Sequence, residues 1–158
     1  MVSVIPHTAA PADPVIIAVD PDGWYPAVDV TALRLRTGLD GTWTDARLTP
    51  VVREEADAIA GVLTEWRAGK QARGAASLAA VDPDQTIEGT PLTVWRWQAA
   101  LDGRVRAAVI RATRDFHATG DGHTRADALE PTADEWLGRA HEALSRLMGR
   151  PRTVVELI

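Results

Sequence analysis

Apolar residues return every three or four positions from residue 101 to 118, LDGRVRAAVIRATRDFHA, the clearest periodicity in the chain. Leu101, Val105, Ala108, Val109, Ala112 and Phe116 fall on one stripe of an α-helix. Arg104, Arg106, Arg111, Arg114 and Asp115 take the opposite face, which predicts a stripe in a helical core and arginines turned to solvent or a partner. Ile110 sits beside the stripe, so this helix has room for more than one neighbour.

The same pattern places the other elements. Prolines at 6, 11, 14, 21 and 26 argue for an extended arm over 1–28, and β-branched Val15 to Val19 for one short strand within it. That strand needs a partner, either another strand of this chain, for which the terminal TVVELI is the best candidate, or a neighbouring subunit. DPDGWYP reads as a turn. Asp29 caps a short helix over VTALRLRTG, which Gly38 stops. A longer helix follows, capped by Thr44 or Thr49, with Pro50 in its first turn or at a kink. Its stripe is Leu48, Val52, Ile59, Val62, Leu63 and Trp66, and Gly69 ends it. Residues 70–91 lose the pattern and read as a long loop with one helical turn around AASLAA, a surface connection or an assembly contact. TVWRWQAA leads into the periodic helix, with a break expected at Asp102 and Gly103 because glycine is costly inside a helix. Thr132 and Glu135 have capping-box spacing ahead of a last helix. Its stripe is Leu137, Ala140, His141, Leu144, Leu147 and Met148, and Gly149 with Pro151 ends it.

The fold class expected is mainly α: a small antiparallel helical bundle over 29–149, with an extended N-terminal arm over 1–28, a long central loop over 70–91 and a β-like tail over 150–158. At 158 residues the chain suits one domain. The absence of cysteine excludes disulfides, thiolate metal sites and a cysteine nucleophile. No run of about 18 apolar residues and no signal-peptide order is present, so a soluble, unexported protein with no membrane partner is expected. With 22 acidic against 17 basic residues, a generic electrostatic grip on nucleic acid is not indicated. Six tryptophans stand beside one phenylalanine and one tyrosine, and tryptophan is favoured both in cores and as an interface anchor.

Candidate chemistry is thin. His117, Asp121 and His123, with Asp127 and Glu130, supply imidazole and carboxylate ligands, but glycines at 120 and 122 and the lack of helical spacing match no metal motif. His141, on its stripe, is expected at the edge of the core, without the nucleophile and orienting group that catalysis needs. No phosphate-cradling glycine loop occurs, so no cofactor and no catalytic residue is assigned. Two other readings stay open: a small helical metal- or ligand-binding domain or enzyme using His117, Asp121 and His123, and a DNA-binding regulator using the arginine-lined helix.

The order of elements, VTALRLRTGL, then TDARLTPVVREEADAIAGVLTEWR, a linker, RVRAAVIRATRDFHA, and a last helix with an extended tail, resembles the helical head-to-tail connector, or adaptor, proteins of long-tailed bacteriophages over about residues 29–118. The resemblance implies a non-enzymatic homo-oligomeric ring in the neck of the virion, assembled in the host cytoplasm. Its partners would be the portal protein and the next neck or tail protein, with DNA passing through the lumen without sequence-specific binding. It also implies that the arm, the 70–91 linker and the tail are assembly contacts. With the tryptophan surplus, the interface residues expected are Val15, Ile16, Ile17, Trp24, Tyr25, Trp95, Trp97, Arg152, Val154, Val155, Leu157 and Ile158.

Overall fold

A computed structural model describes residues 13–117 and 131–150, and of 115–117 the backbone alone. Four helices and two antiparallel strand pairs make up the described residues: β1 (Ile16–Ile17), β2 (Val28–Asp29), α1 (Val30–Arg36), α2 (Asp45–Ala72), β3 (Thr86–Ile87), β4 (Thr90–Pro91), α3 (Leu92–His117) and α4 (Ala133–Leu147). The mainly α class is as expected. The α3 helix lies between α2 and α4. The Arg104–Glu55 ion pair joins it to α2, and Arg111–Asp134 with Arg96–Arg146 runs α4 antiparallel to it.

The strand at Ile16–Ile17 pairs with Val28–Asp29, in register Ile16↔Asp29 and Ile17↔Val28. Its partner is thus another strand of this chain, one of the two alternatives expected, and that strand is β2; the TVVELI tail lies outside the described residues. The turn chemistry explains why. Asp20 accepts hydrogen bonds from the backbone N–H of Trp24 (2.9 Å) and Tyr25 (3.2 Å), and Gly23 takes φ +67°, folding the chain back on itself within a dozen residues. The expected boundary at 28/29 therefore falls inside β2, and Ile17, Trp24, Tyr25 and Val28 of the proline-rich segment join the core.

Asp29 then caps α1, its carboxylate accepting from Ala32 N–H at 2.8 Å, and Gly38 at φ +65° ends it. Thr44 caps α2. Pro50 lies inside α2, past the first turn, so the Ala46 carbonyl has no intrahelical donor from it. The buried positions are Leu48, Val52, Ala56, Ile59 and Leu63, at steps of four, four, three and four. Val62, expected in this stripe, is one residue before Leu63 and hence about 100° around the helix, and it is 54% exposed. Gly69 does not end α2, which runs to Ala72 before Gly74 turns it at φ +94°.

The 73–91 segment is built rather than loose. Leu78 sits in a 3₁₀ turn and is wholly buried; its N–H donates to the Trp24 carbonyl (2.9 Å) and its carbonyl accepts from the Thr93 hydroxyl (2.9 Å). The β3–β4 hairpin closes on Glu88 and Gly89, both at positive φ (49° and 78°), the conformation a two-residue hairpin turn needs.

The break expected at Asp102–Gly103 is absent, and α3 is one helix from Leu92 to His117. Gly103 is there for packing. A Cβ at this position would stand 2.9 Å from the Trp136 carbonyl and 3.1 Å from Ala140 Cβ, so the glycine lets the α4 backbone approach. Leu101, Val105 and Val109 are buried as predicted, with Ala100 and Ala107 on the α4 side; Ala108 and Ala112 are half-buried, and the Phe116 side chain lies outside the described residues. The α4 capping box forms in full: Glu135 N–H donates to Thr132 Oγ1 (3.2 Å), and Thr132 N–H to the Glu135 carboxylate (2.6 Å).

Candidate assembly surfaces

The expected contact residues divide by burial. Trp24, Tyr25 and Trp97 are buried in this chain's own core, and Ile17 nearly so. Trp97 stacks on Tyr25 (centroids 5.7 Å, 16° between planes), while Trp24 meets Tyr25 and half-buried Trp66 edge-on at 4.9 and 6.1 Å. Arg67 of α2 lies over the Trp24 and Tyr25 rings (5.0 and 5.4 Å) and pairs with Asp20 (3.6 Å) and Asp22. Burial pushes the Tyr25 hydroxyl up to about 12 against the pull of the nearby Arg67 guanidinium, and the hydroxyl has no partner in good hydrogen-bond geometry. This cluster anchors the N-terminal segment to α2 and α3 and has no free surface to offer a partner. Sequence alone cannot separate it from an interface, because tryptophan suits both.

Val15, Ile16 and Trp95 do remain at the surface. Ile16 is 57% exposed on the outer side of β1, and Trp95 is 47% exposed in the first turn of α3. Trp95 and Trp97, two residues apart, face opposite ways, as a helix demands. Two exposed residues escaped the sequence reading. Leu35 of α1 is 71% exposed, and Ile87 stands out on the hairpin. For Leu35 a signal existed: in VTALRLR only Val30 and Leu33 can share a buried face, which leaves Leu35 outside. Arg152, Val154, Val155, Leu157 and Ile158 lie outside the described residues.

The arginines of α3 serve mainly internal ends. Arg104 donates to Glu55 at 2.6 Å, and Arg111 reaches Asp134 at 3.3 Å. Arg36 of α1 makes a two-point contact with Asp102 (2.8 and 3.0 Å), tying α1 to α3; burial nonetheless pushes the Asp102 carboxyl up, outweighing the pull of Arg36. His141 is exposed rather than at the core edge, because it lies about 100° from Ala140 around α4. The side chains of His117, Asp121 and His123 lie outside the described residues; among the described ones, no group of three or more His, Cys, Asp or Glu could hold a metal ion. No helix of the described residues is long and apolar enough to cross a membrane.

Comparison with known proteins gives the family. The sequence model of the phage head completion protein (GPL) family matches residues 19–158, well beyond the 29–118 over which the connector resemblance was read. The chain is similar to the head completion/stabilization protein of Escherichia phage P2, 27% identical over 169 residues that cover all of this chain and 99% of that protein. No solved structure matches it. The chain therefore belongs to the phage head completion protein family, and its role is a structural one at the phage head.

Proposed function

We propose that this chain is a subunit of a neck ring that closes the filled head, binding the portal on one side and the next neck or tail protein on the other, with DNA passing through the lumen. The observation that carries the reading is the match of residues 19–158 to the phage head completion protein family; Ile16 on β1, Leu35 on α1, Ile87 on the hairpin and Trp95 on α3, left in solvent around a closed core, supply candidate contact points. Scattered single residues of this kind are ordinary. In a head-completion protein they are the natural contact points for several different partners. A net charge of −5 suits a lumen through which DNA slides without adhering.

Electron microscopy of the purified protein, alone and mixed with portal, tests the proposal. Rings alone, or rings seated on portal in the mixture, are the expected result. A monodisperse monomer that never binds portal would refute it.

A further inference from the structure

We infer that residues 153–158, TVVELI, of one copy of this chain add a strand to the open edge of β1 in a neighbouring copy. The inference rests on the neck-ring reading and names a contact that joins ring neighbours.

The receptor is an edge that β2 leaves open. Val30 N–H donates to the Val15 carbonyl at 2.9 Å and Ile17 stands opposite Val28, so Val15 and Ile17 turn their carbonyls toward β2. By the alternation of an antiparallel ladder, the N–H and C=O of Ile16 then point the other way, out of the sheet edge. Ile16 is 57% exposed, and Pro14, Val15 and Ala18 around it are exposed too. Such an edge is a template for another strand. The outer edge of β2 is cut short by α1, which begins at the next residue.

The donor follows from what an added strand needs. Thr153 to Ile158 holds no proline or glycine, and Thr153, Val154, Val155 and Ile158 are β-branched. In the pairing, alternation would set Val155 and Leu157 on one face, continuing the apolar face of buried Ile17, and Glu156 on the other, in water beside Ile16. The family match runs through residue 158, so this segment belongs to the shared sequence.

A neighbour supplies the strand because the chain's own segment does not reach. Arg96 donates to the Arg146 carbonyl at 3.0 Å, which sets the end of α4 beside the first turns of α3. Further along α3, Arg104 meets Glu55 of α2, and α2 runs against α3, since its Arg67 lies over Tyr25 and Tyr25 stacks on Trp97. The start of α2 is therefore farther still. There Asp45 accepts from the Thr31 hydroxyl (2.6 Å), whose oxygen accepts from Val15 N–H (3.1 Å). At the helical rise, Val15 stands roughly 27 Å along the bundle from the end of α4. It is also across α3, which lies between α2 and α4. Residues 151–158 span about 26 Å fully extended, so none would be left to lie along β1. Donating a segment to the next copy is a heterologous contact, which propagates around a ring instead of stopping at a dimer.

The chain has no cysteine, so single thiols can be placed at both halves of the contact. Full-length Ile16→Cys and Val155→Cys are mixed, with and without portal, and treated with a short bis-maleimide; denaturing electrophoresis reads the products. A linked dimer is expected, and none when Val62→Cys, equally exposed, replaces Ile16→Cys. The double variant Ile16→Cys/Val155→Cys should give a ladder of linked chains. Ile16→Pro removes the N–H that faces the open edge and leaves the bonds to β2 in place. Its association, by sedimentation, should fall at least about tenfold while its circular dichroism stays that of wild type. Linkage confined within single chains, or rings without linkage, overturns the inference and leaves the ring standing. Neither linkage nor rings overturns both. Portal capture lost in Val155→Pro but kept in Ile16→Pro would give the segment to the portal and overturn the edge pairing.

Discussion

At the scale of single residues, Gly103 and Tyr25 carry the sharpest expectations. Gly103→Ala gains helix propensity but drives a methyl into the Trp136 carbonyl at 2.9 Å, so a net loss of about 1–3 kcal/mol is expected by urea unfolding. Gly138→Ala in α4, where a Cβ meets nothing within 4 Å, should instead gain about 0.5–1 kcal/mol. The contrast explains the misread break in α3: helix propensity is a local quantity, and the approach of a backbone 33 positions later along the chain is not. Tyr25→Phe removes a buried hydroxyl that has no partner in good hydrogen-bond geometry, so stability near pH 7 should stay level or rise. Because burial holds the folded phenol up at about 12 against 10.0 for a free one, the wild-type fold keeps its full stability below pH 10 and loses it as pH rises toward 12. Thermal melts of Tyr25→Phe across that window should lack this alkaline loss.

Among the elements, those whose ends carry side-chain caps were the ones readable in the sequence. Asp29, Gly38, Thr132, Glu135 and Gly149 each act within a few residues, and the structure uses each as expected. The AASLAA turn and the β1 strand were legible as elements too; what escaped was their distant anchoring, the turn being held by the Trp24 carbonyl and the Thr93 hydroxyl, and β1 by a strand reached through the Asp20 turn. Thr132→Ala should cost about 1 kcal/mol by removing the cap. The same cap has a signature in acid. Hydrogen bonds from the Thr132 backbone and hydroxyl hold the Glu135 carboxyl below its usual value, as Thr42 does for Asp40. Such groups favour the fold above the ordinary carboxylate range and release it as pH falls through their lowered values. Thr132→Ala should therefore show a shallower decline in melting temperature below about pH 4 than wild type.

For the whole molecule, stability and assembly should separate. Ile16→Ser and Trp95→Ser change side chains that are 57% and 47% exposed, so each should melt within a few degrees of wild type. Under the neck-ring proposal the same two substitutions should weaken capture on portal, measured by co-sedimentation, whereas Val62→Ser, equally exposed but in the middle of α2, should not. The division of the tryptophans by α3 has an optical consequence. Trp97 is sealed against Tyr25 while Trp95 stands in water two residues away, so the protein carries its own fluorescent reporter. Under the neck-ring proposal, mixing with portal should shift emission to shorter wavelength as Trp95, the most exposed of the tryptophans, loses its water, and Trp95→Phe should reduce that shift while the emission of sealed Trp97 is unchanged.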